Sequence, residues 1–116
     1  MIKGIGVDII EIERIEFGIE RKILSEKEIV LLEKFSSEKR KKEFIAGRFS
    51  LKESIIKAFG TFIPYKKISI LNDENGRPYL DDSSLNYLKE KFFNFNIHIS
   101  ISHEKNYAVS IVVLED

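Results

Sequence analysis

The longest periodic stretch of the sequence, from about Ser37 to Phe59, constrains the fold more than any other feature. Its spacing predicts one long helix, and Gly60 suits the left-handed residue that closes a helix C-terminus. At about 100° per residue, Ala46, Ser50, Glu53 and Lys57 fall within one narrow arc, because successive members are four, three and four residues apart. Phe44, Ile45, Phe49, Leu51, Ile55, Ile56 and Phe59 form an apolar stripe on the other side. Arg48 and Lys52 fall inside that stripe, where a desolvated charge requires a partner. Two readings follow. In the plain one, Arg48 and Lys52 snorkel to water while Glu53 and Lys57 make an ordinary i, i+4 surface pair. In the other, the acid and base of the arc belong to a functional site.

The remaining elements are shorter. Ile2 to Ile10 alternates, with Ile5, Val7 and Ile9 on one side and Gly4, Gly6 and Asp8 on the other, as in a half-buried strand. Ile12, Ile15 and Ile19 predict a short amphipathic helix over residues 11–21, weakened by Gly18. Ser25 and Glu28 form a capping-box signature that starts a second helix. Lys66 to Asn72 and Arg77 to Leu80 read as strands joined across Asn75-Gly76, and Ser83 or Ser84 caps a further helix reaching Phe92. Asn96 to Ser102 and Tyr107 to Leu114 read as a closing hairpin around Glu104-Lys105-Asn106. This irregular interleaving predicts an α+β fold in which an antiparallel sheet is packed by the long helix. With 116 residues, 43% of them hydrophobic, the expectation is a single domain over residues 1–116.

Composition narrows the chemistry. Cysteine is absent, which removes disulfides, thiolate zinc sites and a cysteine nucleophile, and two histidines are too few for an all-protein zinc cage. Nineteen basic and nineteen acidic residues cancel, unlike the net positive charge of general nucleic-acid or membrane-surface binders. With neither a long apolar run nor the features of a signal peptide, the expected location is the cytosol.

Several side chains are candidates for function. Asp8 ends the glycine-bearing strand face, and the two glycines leave room for an anion or ligand against the backbone; a helix cap is the simpler reading of the same aspartate. Gly4 and Gly6 do not form a dinucleotide fingerprint, since the third glycine and the distal acid are missing. His103 extends the column of Ile97, Ile99 and Ile101 to the end of its strand, where loops collect chemistry. Ser102-His103 is not a hydrolase pair, because neighbours in a strand point apart and no G-x-S-x-G elbow occurs.

Three blocks, taken in order, resemble the holo-acyl-carrier-protein synthases, the short phosphopantetheinyl transferases. They are Gly4-Ile5-Gly6-Val7-Asp8 continuing to Ile15, the run from Phe44 through Arg48, Glu53 and Lys57 to Thr61, and Ile99-Ser100-Ile101-Ser102-His103-Glu104 with Tyr107-Ala108. The resemblance implies transfer of 4′-phosphopantetheine from coenzyme A to a serine of an acyl carrier protein in fatty-acid biosynthesis. It implies that Asp8 and Glu53 bind Mg2+, with Lys57 and His103 lining the same site. Two carboxylates suit magnesium, which leaves its other positions to water and phosphate oxygens. Arg48 and Lys52 become candidates for coenzyme A phosphates or for an intersubunit salt bridge. The serine proton has three candidate acceptors: a metal-polarised water, Glu53 and His103.

The resemblance further implies that the first helix receives the acidic carrier through Arg14 and Arg21, and that the protein is a homotrimer with sites between subunits. Charge alone leaves a solvated mixed helix equally open, because Glu11, Glu13, Glu16 and Glu20 surround the two arginines. Ser50 and Ser54 depart from the family pattern, which often has alanine there, and Phe62 stands where glycine is common.

Overall fold

The computed structural model describes residues 1–116 and has the α+β architecture. In chain order the elements are β1 (Ile2–Glu11), α1 (Glu20–Ile23), α2 (Glu26–Leu32), α3 (Glu38–Phe59), β2 (Ile70–Asn72), β3 (Pro78–Leu80), α4 (Asp82–Lys91), β4 (Asn96–His103) and β5 (Tyr107–Glu115). The main sheet is antiparallel, in the order β1-β5-β4, and β2 with β3 makes a separate two-stranded ribbon. α3 lies across the main sheet. No helix is long and apolar enough to cross a membrane.

α3 forms as its sequence dictates. Ser37 Oγ accepts from the Arg40 amide at 3.1 Å, and Gly60 closes the helix at φ 77° with its own amide on the Ile56 carbonyl. One apolar core lies between α3, β5, the ribbon and α4, centred on Leu51, Ile55, Ile70, Leu88, Val112 and Leu114. A second lies between α3 and the N-terminal elements, and includes Ile15, Ile23, Leu24, Phe44, Ile45 and Ala108.

β1 approaches α3 through its glycines. A Cβ at Gly4 would sit 2.1 Å from the Ala58 carbonyl oxygen, and one at Gly6 would sit 1.9 Å from that of Ser54. The space predicted for a ligand is therefore filled by the helix backbone. Ile5, Val7 and Ile9 consequently face outward, each about 60% exposed (62%, 60% and 62%), opposite Val113, Ile111 and Val109 of β5. The buried side of this strand is the glycine side, the reverse of what the hydrophobic alternation suggests.

Three further expectations need correction. Residues 11–21 do not form one helix: β1 runs to Glu11, a 3₁₀ turn spans Ile12–Arg14, and α1 covers only Glu20–Ile23. Pairing of Glu11 with Tyr107 keeps the start of the segment in the sheet, and Gly18 at φ 113° breaks the remainder. Lys66 and Lys67 lie in a 3₁₀ turn, which shortens the first ribbon strand to Ile70–Asn72. α4 is capped by Asp81, whose carboxylate accepts from the Ser84 amide at 2.9 Å, so Ser84 is the third residue of the helix. The capping box stands as expected: Ser25 accepts from the Glu28 amide while Glu28 accepts from that of Ser25.

Candidate active site

Asp8 and Lys57 meet where β1 passes the C-terminal half of α3. The Lys57 ammonium donates to the Val7 carbonyl at 2.9 Å and to Asp8 Oδ1 at 3.3 Å. It therefore pairs with Asp8, and no ion pair joins it to Glu53 one turn earlier on the same helix. The Lys57 side chain remains 55% exposed, free to turn toward a ligand. Asp8 is held from behind, since Ser50 Oγ donates to its backbone carbonyl at 3.2 Å. Ser50 and Ser54 also share Ser110 Oγ, at 2.8 and 2.7 Å. The two serines that depart from the family pattern thus form one buried hydroxyl cluster with a serine of β5, between helix and sheet.

Glu53 stands on the same flank. Its Oε1 receives a hydrogen bond from the Tyr65 hydroxyl at 3.4 Å. Burial first, then the negative charge of Glu53, the hydrogen bond to it and the charge of Asp8 all raise the Tyr65 pKa. Both carboxylates therefore bear on one phenol, which stays protonated and acts as a donor. Tyr65 packs edge-on against Phe49 and Phe62, with ring centroids 5.8 and 5.7 Å away. The sequence offered no signal for Tyr65, because it lies in a three-residue turn after Pro64 with no periodicity of its own.

No three His, Cys, Asp or Glu side chains gather anywhere in the molecule. Asp8 and Glu53 thus offer hard oxygen donors from two rigid elements without a soft or third protein ligand. This donor set fits magnesium, which takes one or two protein carboxylates and keeps water and phosphate oxygens for the rest.

His103 and Arg48 lie elsewhere. Both line a cavity of about 330 Å³ on the β4 side of α3, together with Arg40, Phe44 and Asn72. β5 separates β4 from β1, so a single chain does not bring His103 to the carboxylates through its sheet. Arg48 is buried. Its Nε and Nη2 donate to the Ile70 carbonyl at 3.2 and 3.0 Å, Nη2 also reaches Asn72 Oδ1 at 2.5 Å, and the guanidinium lies 4.2 Å from the Phe44 ring centroid. Burial lowers its pKa to about 10, opposed by the charge of Glu28. Nη1 makes no bond within the protein, and since no fully buried side-chain donor is left unpaired it keeps some solvent exposure.

Lys52 proves to be a core residue. Its ammonium donates to Glu28 Oε1 at 2.5 Å, to the Ile23 carbonyl at 2.8 Å and to the Tyr65 carbonyl at 2.9 Å. All three protons are used, which leaves none for a phosphate or for another subunit, and the expectation of either role for Lys52 is corrected accordingly. Burial lowers the Lys52 pKa in spite of Glu28. Arg14 and Arg21 are both exposed, but they belong to a 3₁₀ turn and to α1 and do not share a helix face. Arg21 borders a surface cavity of about 1070 Å³ together with Phe17, Lys27 and Lys41.

A short single-chain fold whose one long helix presents an acid and a base beside a strand aspartate defines a class. Residues 4–112 match the 4′-phosphopantetheinyl transferase superfamily. The chain is 53% identical over 117 residues to the holo-[acyl-carrier-protein] synthase of Petrotoga mobilis, covering 100% of this chain and 98% of that one. It is 43% identical to that of Staphylococcus carnosus, covering 99% and 98%. The crystal structure of a Bacillus anthracis holo-(acyl-carrier-protein) synthase in complex with CoA (3′,5′-ADP) superposes with a TM-score of 0.82 at 39% identity, over 98% of this chain and 96% of that one. The Neisseria meningitidis synthase gives 0.83 at 29% identity, over 100% of both. The chain belongs to the holo-[acyl-carrier-protein] synthase family.

Proposed function

We propose that the chain transfers 4′-phosphopantetheine from coenzyme A to a serine of apo-acyl carrier protein, acting in the cytoplasm in fatty-acid biosynthesis, with residues 1–116 as one transferase unit. The observation that carries this reading is the pairing of Lys57 of α3 with Asp8 of β1, with Glu53 one turn earlier on the same helix, in a chain of this family. Asp8 and Glu53 would hold Mg2+, which supplies neutralisation of pyrophosphate charge. Lys57 exchanges its carbonyl and Asp8 bonds for a phosphate oxygen, which its exposure permits. The carrier serine oxygen forms the new bond to the β-phosphorus. The bond from that phosphorus to the bridging pyrophosphate oxygen breaks, and adenosine 3′,5′-bisphosphate leaves. The serine proton would pass to Glu53, to His103 or to a metal-polarised water.

Arg48 and His103 line the second cavity together, and a phosphate of coenzyme A suits that pair. A site between copies of the chain brings this cavity to the carboxylates of a neighbour. The exposed row of Ile5, Val7 and Ile9 against Val113, Ile111 and Val109 is an apolar face suited to burial in such an assembly, which we read as a homotrimer. Arg14 and Arg21 remain the cations for the acidic carrier, presented by two neighbouring segments rather than one helix.

The test is the intact mass of apo-carrier protein after incubation with the chain, coenzyme A and magnesium. A gain of one phosphopantetheine that chelator abolishes is expected. An unchanged mass with several carrier proteins contradicts the reading.

A further inference from the structure

Tyr65 is tied to the molecule at both ends. Its backbone carbonyl accepts from Lys52 at 2.9 Å, and that ammonium is fixed in the core by Glu28 at 2.5 Å. Its hydroxyl reaches Glu53 Oε1 at 3.4 Å, and its ring is wedged between Phe49 and Phe62. Glu28 is itself immobile, since Oε1 also accepts from the Ser25 amide at 2.9 Å and Oε2 from the Ile70 amide at 2.9 Å. An unbroken series of polar contacts thus runs from the core, through Glu28, Lys52 and Tyr65, to the exposed edge of Glu53. A glutamate in mid-helix has three rotatable side-chain bonds, and nothing else in the chain donates to its carboxylate.

We infer that Tyr65 is a positioning residue for Glu53: its hydroxyl holds Oε1 in place and leaves Oε2 free for a divalent cation. The inference rests on the proposed role of Glu53 as a metal-binding carboxylate. A hydroxyl bonded to one oxygen restricts the carboxylate to fewer orientations before the cation arrives, so less freedom is lost on binding. Lys52, misplaced for an apolar stripe, thereby acquires a functional consequence: it anchors the turn that carries the phenol.

The test is a titration of Mn2+ followed by electron paramagnetic resonance, with coenzyme A present and carrier protein omitted so that no turnover occurs. Tyr65→Phe keeps the ring contacts and removes only the hydroxyl. It is expected to weaken Mn2+ binding roughly tenfold, the lower end of the loss seen when an outer partner of a metal ligand is removed. In the transfer assay the same variant requires about tenfold more Mg2+ for half-maximal rate, with the KM for coenzyme A and kcat at saturating Mg2+ near those of the unaltered chain. Glu53→Gln is the reference and loses Mn2+ binding. If Tyr65→Phe binds Mn2+ as the unaltered chain does while Glu53→Gln fails, the role of Tyr65 is overturned and that of Glu53 stands. If Glu53→Gln also binds normally, both are overturned. A drop in kcat or rise in coenzyme A KM with unchanged Mn2+ affinity assigns the phenol to substrate contact and overturns the inference as well.

Discussion

Two lysines five residues apart on α3 have opposite fates. Lys52 and Glu28 are 2% and 0% exposed, and their pair is completed by four backbone groups, the Ile23 and Tyr65 carbonyls and the Ser25 and Ile70 amides. Glu28→Ala leaves the buried Lys52 ammonium without its counter-charge and the Ser25 and Ile70 amides without acceptors, and should destabilise the fold by about 3–5 kcal/mol in urea unfolding. Lys57→Ala removes an exposed side chain and should change stability by less than about 1 kcal/mol, while lowering the transfer rate roughly a hundredfold. The sequence marked Arg48 and Lys52 as cations in the wrong place but could not name their partners. Glu28 is 24 residues from Lys52 and looked complete as half of a capping box.

Asp81 gives the pH dependence at this scale. Burial pushes its pKa up, but the bonds from Lys27 and Ser84 outweigh burial and hold it below 3.8. The folded state therefore binds fewer protons here than the unfolded chain. The Asp81 contribution is complete above about pH 4 and is lost as pH falls through the lower folded value. Asp81→Asn should accordingly be less stable than the unaltered chain at pH 7, with the gap closing as the pH falls below about 4 in parallel urea titrations.

At the scale of elements, the contact between β1 and α3 decides where Asp8 stands. The sequence showed two clear glycines but not what they clear space for, since alternation cannot distinguish a gap for a ligand from a seat for a helix. Gly6→Ala places a methyl 1.9 Å from a backbone oxygen of α3, which cannot rotate away. It should lower stability by about 3 kcal/mol and impair transfer by shifting Asp8 relative to Glu53, checked by unfolding and activity on the same preparation. Local signals were reliable where local physics dominates: the capping box of α2, the left-handed Gly60 and the β4–β5 hairpin all form. The segment around Ile12, Ile15 and Ile19 misled because a three-and-four spacing also serves a turn whose isoleucines reach the core separately.

At the scale of the molecule, the carboxylates and the Arg48–His103 cavity occupy different places in each chain, and the outer face of the sheet is apolar along β1 and β5. The sequence could list these residues but not show that one chain keeps them apart, because that depends on β5 lying between β1 and β4. Val7→Asp, at the middle of the exposed row, should yield monomers in sedimentation velocity that retain native circular dichroism and lose transfer. The central claim is that Asp8 and Glu53 together carry phosphopantetheine transfer, and it is tested most directly by the initial rate of holo-carrier formation in Asp8→Ala and Glu53→Ala. Each variant should fold normally and lose roughly a thousandfold in rate. A folded variant of either kind that transfers at the rate of the unaltered chain would contradict the account.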